Sequence, residues 1–181
     1  VGIAKGAGMI CPNMATMLCY VTTDANIGLA DLKRATHHAV DHSFNRISID
    51  GDTSTNDTVV VMANGASGQR KLQPKTPSMQ LFTDALEHVL LEMAKMIVRD
   101  GERVTKFVEV HVANAATQVD ARKVAETVAN SLLVKCSWNG GDPNWGRIMH
   151  AIGYSGAKIR ESDIDIYYDG LVATSHGLVA D

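Results

Sequence analysis

The hydrophobic and polar positions of the chain follow two different periods in turn. Apolar residues recur at helical spacing over three segments, which predicts helices at about 29–44, 78–99 and 120–134. β-Branched or alternating runs predict strands at 17–25, 46–50, 58–65, 105–113 and 163–170. Helices and strands that alternate along a chain are typical of a layered α/β fold rather than of a helical bundle.

Four segments carry more detailed expectations. The run 58–65 is continuously apolar, which predicts a strand buried on both faces, whereas the alternation at 105–113 predicts a half-buried strand. Asp142 and Pro143 are typical of a helix cap and a first turn, so a last helix is expected through residues 145–152. The segment 69–77 contains two prolines and several basic residues, which predicts a surface loop.

The composition is that of one globular unit. The 181 residues are 45% hydrophobic and 20% charged, with a net charge of −3, which argues against a disordered, charge-dominated segment. Basic residues form no cluster longer than a pair, so a nucleic-acid partner is not expected. No run approaches the roughly 20 apolar residues of a membrane span, and the first residues lack the layout of a signal peptide, so no membrane partner is expected.

The three cysteines point to a reducing compartment. They are odd in number and form no CxxC pair, which favours neither a disulfide framework nor a zinc ribbon. Cys19 and Cys136 lie in apolar contexts and are predicted to be inert core thiols. A cytoplasmic location is expected, or the mitochondrial matrix if the source is a eukaryote.

Two clusters of polar residues invite a metal interpretation that the sequence does not support. Residues 49–54 place two carboxylates after a predicted strand, as in an aspartyl-phosphatase loop, but Ser54 stands where that motif has Thr or Val. We interpret this segment as a polar turn. His38 and His42 lie four residues apart on a predicted helix, yet no HExxH pattern and no nearby third ligand accompany them. A solvated helix face is the favoured interpretation, and no metal is predicted.

The most informative stretch is the segment 4–25. It contains glycines, a Pro-Asn turn, and then Ala15 and Thr16 immediately before a hydrophobic strand. Thr16 is either a nucleophile or the residue that opens the strand. Spacing alone favours the second interpretation, because β-branched residues are common at strand starts.

Four long motifs favour the interpretation of Thr16 as a nucleophile. KGAGMICPNMATML, SFNRISIDGDTSTNDT, VRDGE and GDPNWGRIMHAIGYSGA occur in this order over nearly the whole chain. With them the chain resembles the bifunctional ornithine acetyltransferase/glutamate N-acetyltransferase family of arginine biosynthesis. The resemblance implies an α/β fold related in arrangement to the N-terminal-nucleophile hydrolases. It also implies that residues 1–15 end an α-chain and that residues 16–181 form most of a β-chain, as one globular unit.

The resemblance assigns roles to four residues. It implies self-cleavage between Ala15 and Thr16, after which Thr16 is the catalytic nucleophile, and it places substrate-binding residues at Lys5, Thr16 and Glu102. A new N-terminal threonine carries its own base, because an α-amino group has a pKa of about 7.7 to 8.0 and assists the hydroxyl when it is unprotonated. The implied reaction moves an acetyl group from N-acetylornithine to glutamate through an acetyl-threonine. It needs no cofactor, although acetyl-CoA is a possible donor.

Other consequences of the resemblance remain expectations. The processed α and β chains are expected to assemble into a higher oligomer of αβ units. The family's oxyanion-hole donors lie upstream of Val1 and further substrate contacts lie beyond Asp181, so these 181 residues alone are expected to be inactive or nearly so. Arg103 stands after the DGE motif where small residues are usual. Two alternatives stay open, namely an N-terminal-threonine amidase or aminopeptidase and a non-catalytic assembly module.

Overall fold

The computed structural model describes residues 1–11 and 17–179, which form two compact units, Val1–Val104 and Thr105–Asp181. We call them unit 1 and unit 2 and describe each by itself. Both combine helices with a small three-stranded sheet, in agreement with the predicted α/β class. Within the described ranges, no helix combines the length and the apolar character that a membrane crossing requires.

Unit 1 is built on a mixed sheet. Its strands are β1 (Gly2–Lys5), β2 (Leu18–Thr23) and β3 (Thr58–Ala63), in the order β1-β2-β3. β1 pairs with β2 antiparallel, and β2 pairs with β3 parallel. The parallel pair requires a crossover, which the chain supplies through a helix between β2 and β3.

Two helices complete unit 1. Helix α1 spans Leu29–Asp41, and helix α2 spans Pro77–Arg99. Thr76 caps α2 by accepting a hydrogen bond from the backbone N–H of Met79, and Pro77 occupies the first turn, where its missing N–H costs nothing. The two helices pack on each other, and both contribute to one core with the sheet, whose most buried members are Ile10, Cys19, Ala39, Leu90 and Ala94.

Unit 2 combines three helices with an antiparallel meander. The helices are α3 (Gln118–Asn130), α4 (Leu132–Gly140) and α5 (Trp145–Gly153), and the strands are β4 (Ile166–Tyr168), β5 (Leu171–Ser175) and β6 (Leu178–Val179). Two short 3₁₀ turns, Phe44–Arg46 in unit 1 and Glu161–Asp163 in unit 2, join other elements. The buried core of unit 2 consists of Val124, Val128, Val134, Ala151, Ile152 and Ile166.

Most predicted elements are confirmed with shifted ends, and several details were wrong. The predicted helix 120–134 breaks at Ser131, whose hydroxyl accepts from the N–H of Val134 and starts α4. The last helix is capped by Asn144 rather than by Asp142, because the Asn144 side chain accepts from the N–H of Arg147. Cys136 is exposed on α4 and is not a core thiol.

Three predicted strands also need correction. The segment 46–50 contains the end of a 3₁₀ turn and bends, because its apolar residues fill the core of unit 1 without a strand partner. The segment 105–113 forms no strand, and its burial alternates only in part, because Val108 and Glu109 are both exposed between the half-buried Phe107 and Val110. A period of two in the sequence does not supply a neighbouring strand edge. β3 is not buried on both faces, because Thr58 and Met62 are exposed among the described residues.

Candidate functional site

One loop holds the chain on the N-terminal side of residues 12–16. We call residues 49–58 the clamp loop. The Asp50 carboxylate accepts hydrogen bonds from the backbone N–H groups of Met9, at 2.6 Å, and Ile10, at 3.0 Å. The N–H of Ile49 donates to the carbonyl of Ile10 at 2.7 Å. Hydrogen bonds to an ionised carboxylate are stronger than neutral ones, so residues 9 and 10 are firmly fixed.

The same loop also holds the chain on the C-terminal side of residues 12–16. The N–H of Met17 donates to Oδ1 of Asp57 at 2.8 Å, and the Met17 carbonyl accepts from the N–H of Thr58 at 2.9 Å. Both backbone polar groups of Met17 are therefore satisfied by the clamp loop. The chain on either side of residues 12–16 is fixed to one scaffold, and a fixed scaffold is what precise chemistry at that place requires.

Asp57 has a second feature of chemical interest. Its Oδ2 atom is buried and has no hydrogen-bond partner among the residues that the structure describes. Burial raises the pKa of Asp57 above its ordinary value, and the hydrogen bond from Met17 acts in the opposite direction. A carboxylate with one oxygen engaged and the other unpaired keeps the capacity to accept a further hydrogen bond.

Lys5 lies at the end of β1 that faces this region. In the antiparallel register Lys5 is opposite Leu18, and Leu18 is two residues after Thr16 in the sequence. Residues directly opposite in such a pair have Cα atoms about 4.5–5.5 Å apart. Lys5 is exposed, so its ammonium group is available to an anionic ligand close to the start of β2.

Glu102 is brought to the same place from the end of α2. Its backbone N–H donates to the carbonyl of Ala7 at 2.8 Å. The absence of a side chain at Gly8 allows the approach, because a Cβ there would lie only 3.2 Å from Oε2 of Glu102 and 3.7 Å from Oδ2 of Asp50. The structure thus brings Glu102 and the clamp loop to residues 7–10, which follow Lys5 along the chain. Ala15 and Thr16 lie outside the described residues.

The turn that carries Glu102 is tightly packed and conformationally demanding. A Cβ on Gly101 would lie 2.7 Å from Cγ2 of Val104 and 2.8 Å from Cδ1 of Ile49. Arg103 has a φ of 55°, in the left-handed region that favours glycine. The small residues that the resemblance leads one to expect after the DGE motif therefore have a backbone explanation.

Asp50 and Asp57 are site residues that the sequence interpretation missed, since it treated Asp50 as part of a polar turn and gave Asp57 no role. The hydrogen bonds that reveal Asp57 and Asp50 join residues 40 or 41 positions apart. The bond of Asp57 follows from the parallel pairing of Leu18 with Thr58, which brings residue 57 beside residue 17. No local motif marks such a contact.

The expectation for the histidine pair also changes. A third side chain does approach it, because Oε2 of Glu87 on α2 lies 3.0 Å from Nε2 of His38 on α1. The sequence interpretation found no nearby third ligand because Glu87 is remote along the chain. This cluster lies apart from the clamp loop in the sequence and is considered separately below.

Comparison with known proteins adds an independent line of information. A model of the ArgJ family matches residues 1–181. The arginine biosynthesis bifunctional protein ArgJ of Geobacter sulfurreducens is 50% identical over 179 residues, which are 99% of this chain and 46% of that protein. The glutamate N-acetyltransferase of Methanocaldococcus jannaschii is 54% identical over 167 residues, 91% of this chain and 40% of that protein. The chain therefore spans less than half the length of these relatives.

A solved structure agrees with the fold described above. The crystal structure of arginine biosynthesis bifunctional protein argJ from Bacillus halodurans has a TM-score of 0.86 to this chain at 44% sequence identity. The match covers 89% of this chain and 76% of that one. The fold that the resemblance implied is thereby confirmed, and on both sequence and structure the chain belongs to the ArgJ family.

Proposed function

We propose that this chain is part of an acetyltransferase of arginine biosynthesis that moves an acetyl group from N-acetylornithine to glutamate. The names of its relatives, an arginine biosynthesis bifunctional protein and a glutamate N-acetyltransferase, support this class of activity. The observation that carries the proposal is the clamp loop. It fixes residues 9, 10 and 17, on both sides in sequence of the stretch that contains Ala15 and Thr16, and Glu102 contacts the same segment at Ala7.

The first step of the proposed mechanism is self-cleavage. The hydroxyl oxygen of Thr16 attacks the carbonyl carbon of Ala15, the C–N bond between them breaks, and the hydroxyl proton is transferred to the nitrogen. Water then hydrolyses the resulting ester, which restores the hydroxyl and leaves a carboxylate on Ala15. Asp57 acts here as a positioning residue, since it holds the N–H of Met17, which belongs to the peptide that follows Thr16.

The second step is acetyl transfer in a ping-pong cycle. The new α-amino group takes the proton of the Thr16 hydroxyl, whose oxygen attacks the acetyl carbonyl of N-acetylornithine. Ornithine leaves with its amine protonated, and an acetyl-threonine ester remains. The amine of glutamate then attacks this ester, forms N-acetylglutamate and restores the hydroxyl. Transfer between two amines through one ester is balanced without a cofactor, and acetyl-CoA is an alternative acetyl donor.

Lys5 and Glu102 supply opposite charges for amino-acid substrates. N-Acetylornithine carries a carboxylate and a side-chain ammonium group, so it needs a cationic and an anionic partner. We assign the carboxylate to Lys5 and the ammonium group, or an orienting hydrogen bond, to Glu102. Both side chains are exposed, which agrees with contact to a soluble ligand.

The proposal extends to processing, assembly and location. We propose that residues 1–15 end the α-chain and residues 16–181 belong to the β-chain, and that the two chains assemble into a higher oligomer of αβ units. Neither a nucleic acid nor a membrane is among the proposed partners. The proposed location is the cytoplasm, or the mitochondrial matrix in a eukaryote.

The test compares Thr16→Ala with Thr16→Ser in the full-length protein. We expect Thr16→Ala to remain one unbroken chain by intact mass and to lose acetyl transfer completely, because no hydroxyl remains. Thr16→Ser should retain both reactions at reduced rates. Acetyl transfer by Thr16→Ala would refute the proposal.

The same measurements separate the two alternatives. An amidase would release acetate and ornithine equally well with and without glutamate. An assembly module would show one unbroken polypeptide for the unsubstituted protein. The proposal requires two polypeptides, the second of which starts at Thr16, and a glutamate-dependent product.

A further inference from the structure

We propose that His38, His42 and Glu87 form a binding site for a divalent transition-metal ion of the Zn²⁺ type. The three side chains lie on the surface of unit 1, where α1 and α2 pack together. This site is independent of the proposed acetyl transfer, and none of its residues belongs to the clamp loop.

The first argument is the proximity of three donors of the correct chemistry. His38 and His42 lie four residues apart on α1, so their rings share one helix face, and the ring centroids are 4.2 Å apart. Glu87 reaches them from α2, with Oε2 at 3.0 Å from Nε2 of His38. One ligand atom from each of the three residues lies within 4.8 Å of the other two.

These separations are close to those of a coordinated ion. Ligands about 2.0–2.1 Å from a tetrahedral Zn²⁺ are roughly 3.3 Å apart. The contact between His38 and Glu87 already has nearly this length, and a ligand atom of His42 lies within 4.8 Å of both. Without an ion, the same two groups form an ion pair whenever His38 is protonated.

The second argument is the orientation of His42. Its Nδ1 atom lies 2.8 Å from the backbone carbonyl of His38. Because a carbonyl only accepts hydrogen bonds, Nδ1 carries the proton, and the lone pair of the neutral ring is on Nε2. A hydrogen bond from the second ring nitrogen to a carbonyl is the usual support of a metal-binding histidine, since it fixes both the tautomer and the orientation of the ring.

The third argument is the rigidity of the backbone that carries the ligands. His38 directly precedes Ala39, which is fully buried, and Glu87 directly follows Leu86, which is 6% exposed. Both neighbours belong to the core of unit 1. The helices therefore cannot separate at this point without disrupting that core, and the ligands remain together.

The donor set selects the class of ion. Two imidazole nitrogens and one carboxylate oxygen suit Zn²⁺, Co²⁺, Ni²⁺ or Cu²⁺, whereas Mg²⁺ and Ca²⁺ prefer oxygen donors alone. Three protein ligands leave a fourth tetrahedral position for water or for another small ligand.

The chain offers matched control residues for the experiment. His37 and His88 are exposed histidines on the same two helices, each next to a proposed ligand, and they are outside the cluster. Full-length protein freed of metal with a chelator is titrated with Zn²⁺ by calorimetry and with Co²⁺ by visible absorption. We expect His38→Ala and His42→Ala each to weaken binding at least about tenfold, and His37→Ala and His88→Ala to leave it within about twofold.

A second measurement needs no variant and so does not depend on how variants fold. Histidines of the unsubstituted protein are modified with diethylpyrocarbonate, with and without Zn²⁺, and mapped by mass spectrometry. We expect Zn²⁺ to protect His38 and His42 but not His37 or His88. Equal modification of all four histidines in the presence of Zn²⁺ would overturn the proposal, and so would equal weakening of binding by the control variants.

Discussion

The two units contain similar secondary-structure elements but differ in the proposed functional residues that they carry. Each contains a three-stranded sheet, helices and its own buried core. Lys5, Glu102 and the clamp loop all lie in unit 1, and the proposed metal ligands do too. The residues to which we give proposed catalytic or binding roles are thus all in unit 1. Unit 1 has the larger buried core, and it also has a set of loop contacts at the ends of its strands that carries the proposed chemistry.

Buried polar atoms without a partner show the same difference. The described residues include one such side-chain atom in each unit, Oδ2 of Asp57 and the hydroxyl of Tyr168. Burial and the charge of Asp142 raise the pKa of Tyr168, and the Trp138 side chain lies near enough to lower it without reaching hydrogen-bond geometry. Asp57 instead contacts the backbone beside Thr16. Of the two residues, only Asp57 also holds the backbone next to the proposed cleavage position.

The largest expected effect concerns the core of unit 1. Leu90 is fully buried on α2, so Leu90→Ala leaves a cavity and should lower the free energy of unfolding by about 2–5 kcal/mol. Leu81 lies on the same helix and is 71% exposed, so Leu81→Ala should change the free energy of unfolding by no more than about 0.5 kcal/mol. Val134→Ala, in the core of unit 2, should cost less than Leu90→Ala because fewer carbon atoms are removed.

Urea denaturation of the full-length variants measures these differences, and hydrogen exchange assigns them to a unit. A loss of protection in unit 1 is expected for Leu90→Ala and in unit 2 for Val134→Ala. Equal destabilisation by Leu81→Ala and Leu90→Ala would show that Leu90 does not lie in the core of unit 1.

The next effect contrasts one cysteine from each unit. Burial raises the pKa of Cys19 to about 11, so its thiolate is scarce at pH 8, and the side chain is also inaccessible in β2. Cys136 is exposed on α4. We expect iodoacetamide at pH 8 to label Cys136 at least about a hundredfold faster than Cys19, as mapped by mass spectrometry. Similar rates would contradict the placement of Cys19 in the core of unit 1.

Asp57 and Tyr168 provide a smaller and more specific comparison. Asp57→Ala removes the acceptor for the N–H of Met17 and should slow self-cleavage of the full-length protein about tenfold, since one charge-assisted hydrogen bond is lost. Asp57→Asn keeps an oxygen acceptor and should retain most of the rate. Tyr168→Phe should leave cleavage unchanged. The fraction of cleaved chain, followed by gel electrophoresis, distinguishes these outcomes.

The pH dependence of the free energy of unfolding provides a further test of Asp57. Because its pKa is raised in the folded protein, the folded state binds the proton more tightly, and the contribution of Asp57 to stability falls as the pH rises above its ordinary value of 3.8. Asp57→Asn should make the unfolding free energy depend less on pH above that value. An unchanged pH profile in Asp57→Asn, together with an unchanged cleavage rate in Asp57→Ala, would show that Asp57 serves only to form the turn.

The sequence predicted what depends on local pattern and missed what depends on pairing. Helix α2 was predicted to within one residue of its ends, because its apolar positions repeat through six turns. Pro77 was placed in the preceding loop but is the first residue of the helix. The break at Ser131 has no strong local signal, since serine is also tolerated inside helices. Lys5, Thr16 and Glu102 came from the family resemblance, whereas the roles of Asp50, Asp57 and Glu87 became visible only once distant segments were placed side by side.

The smallest expected effect contrasts one left-handed residue from each unit. Arg103 in unit 1 has a φ of 55° and Asn114 in unit 2 has a φ of 58°. A side chain in this region costs roughly 1 kcal/mol, and asparagine tolerates it better than arginine does. Arg103→Gly should therefore stabilise the protein by up to about 1 kcal/mol in urea denaturation, and Asn114→Gly should stabilise it less. Arg103→Ala keeps a Cβ and should give no gain, so equal stabilisation by Ala and Gly would show that the arginine side chain, and not its backbone conformation, carries the cost.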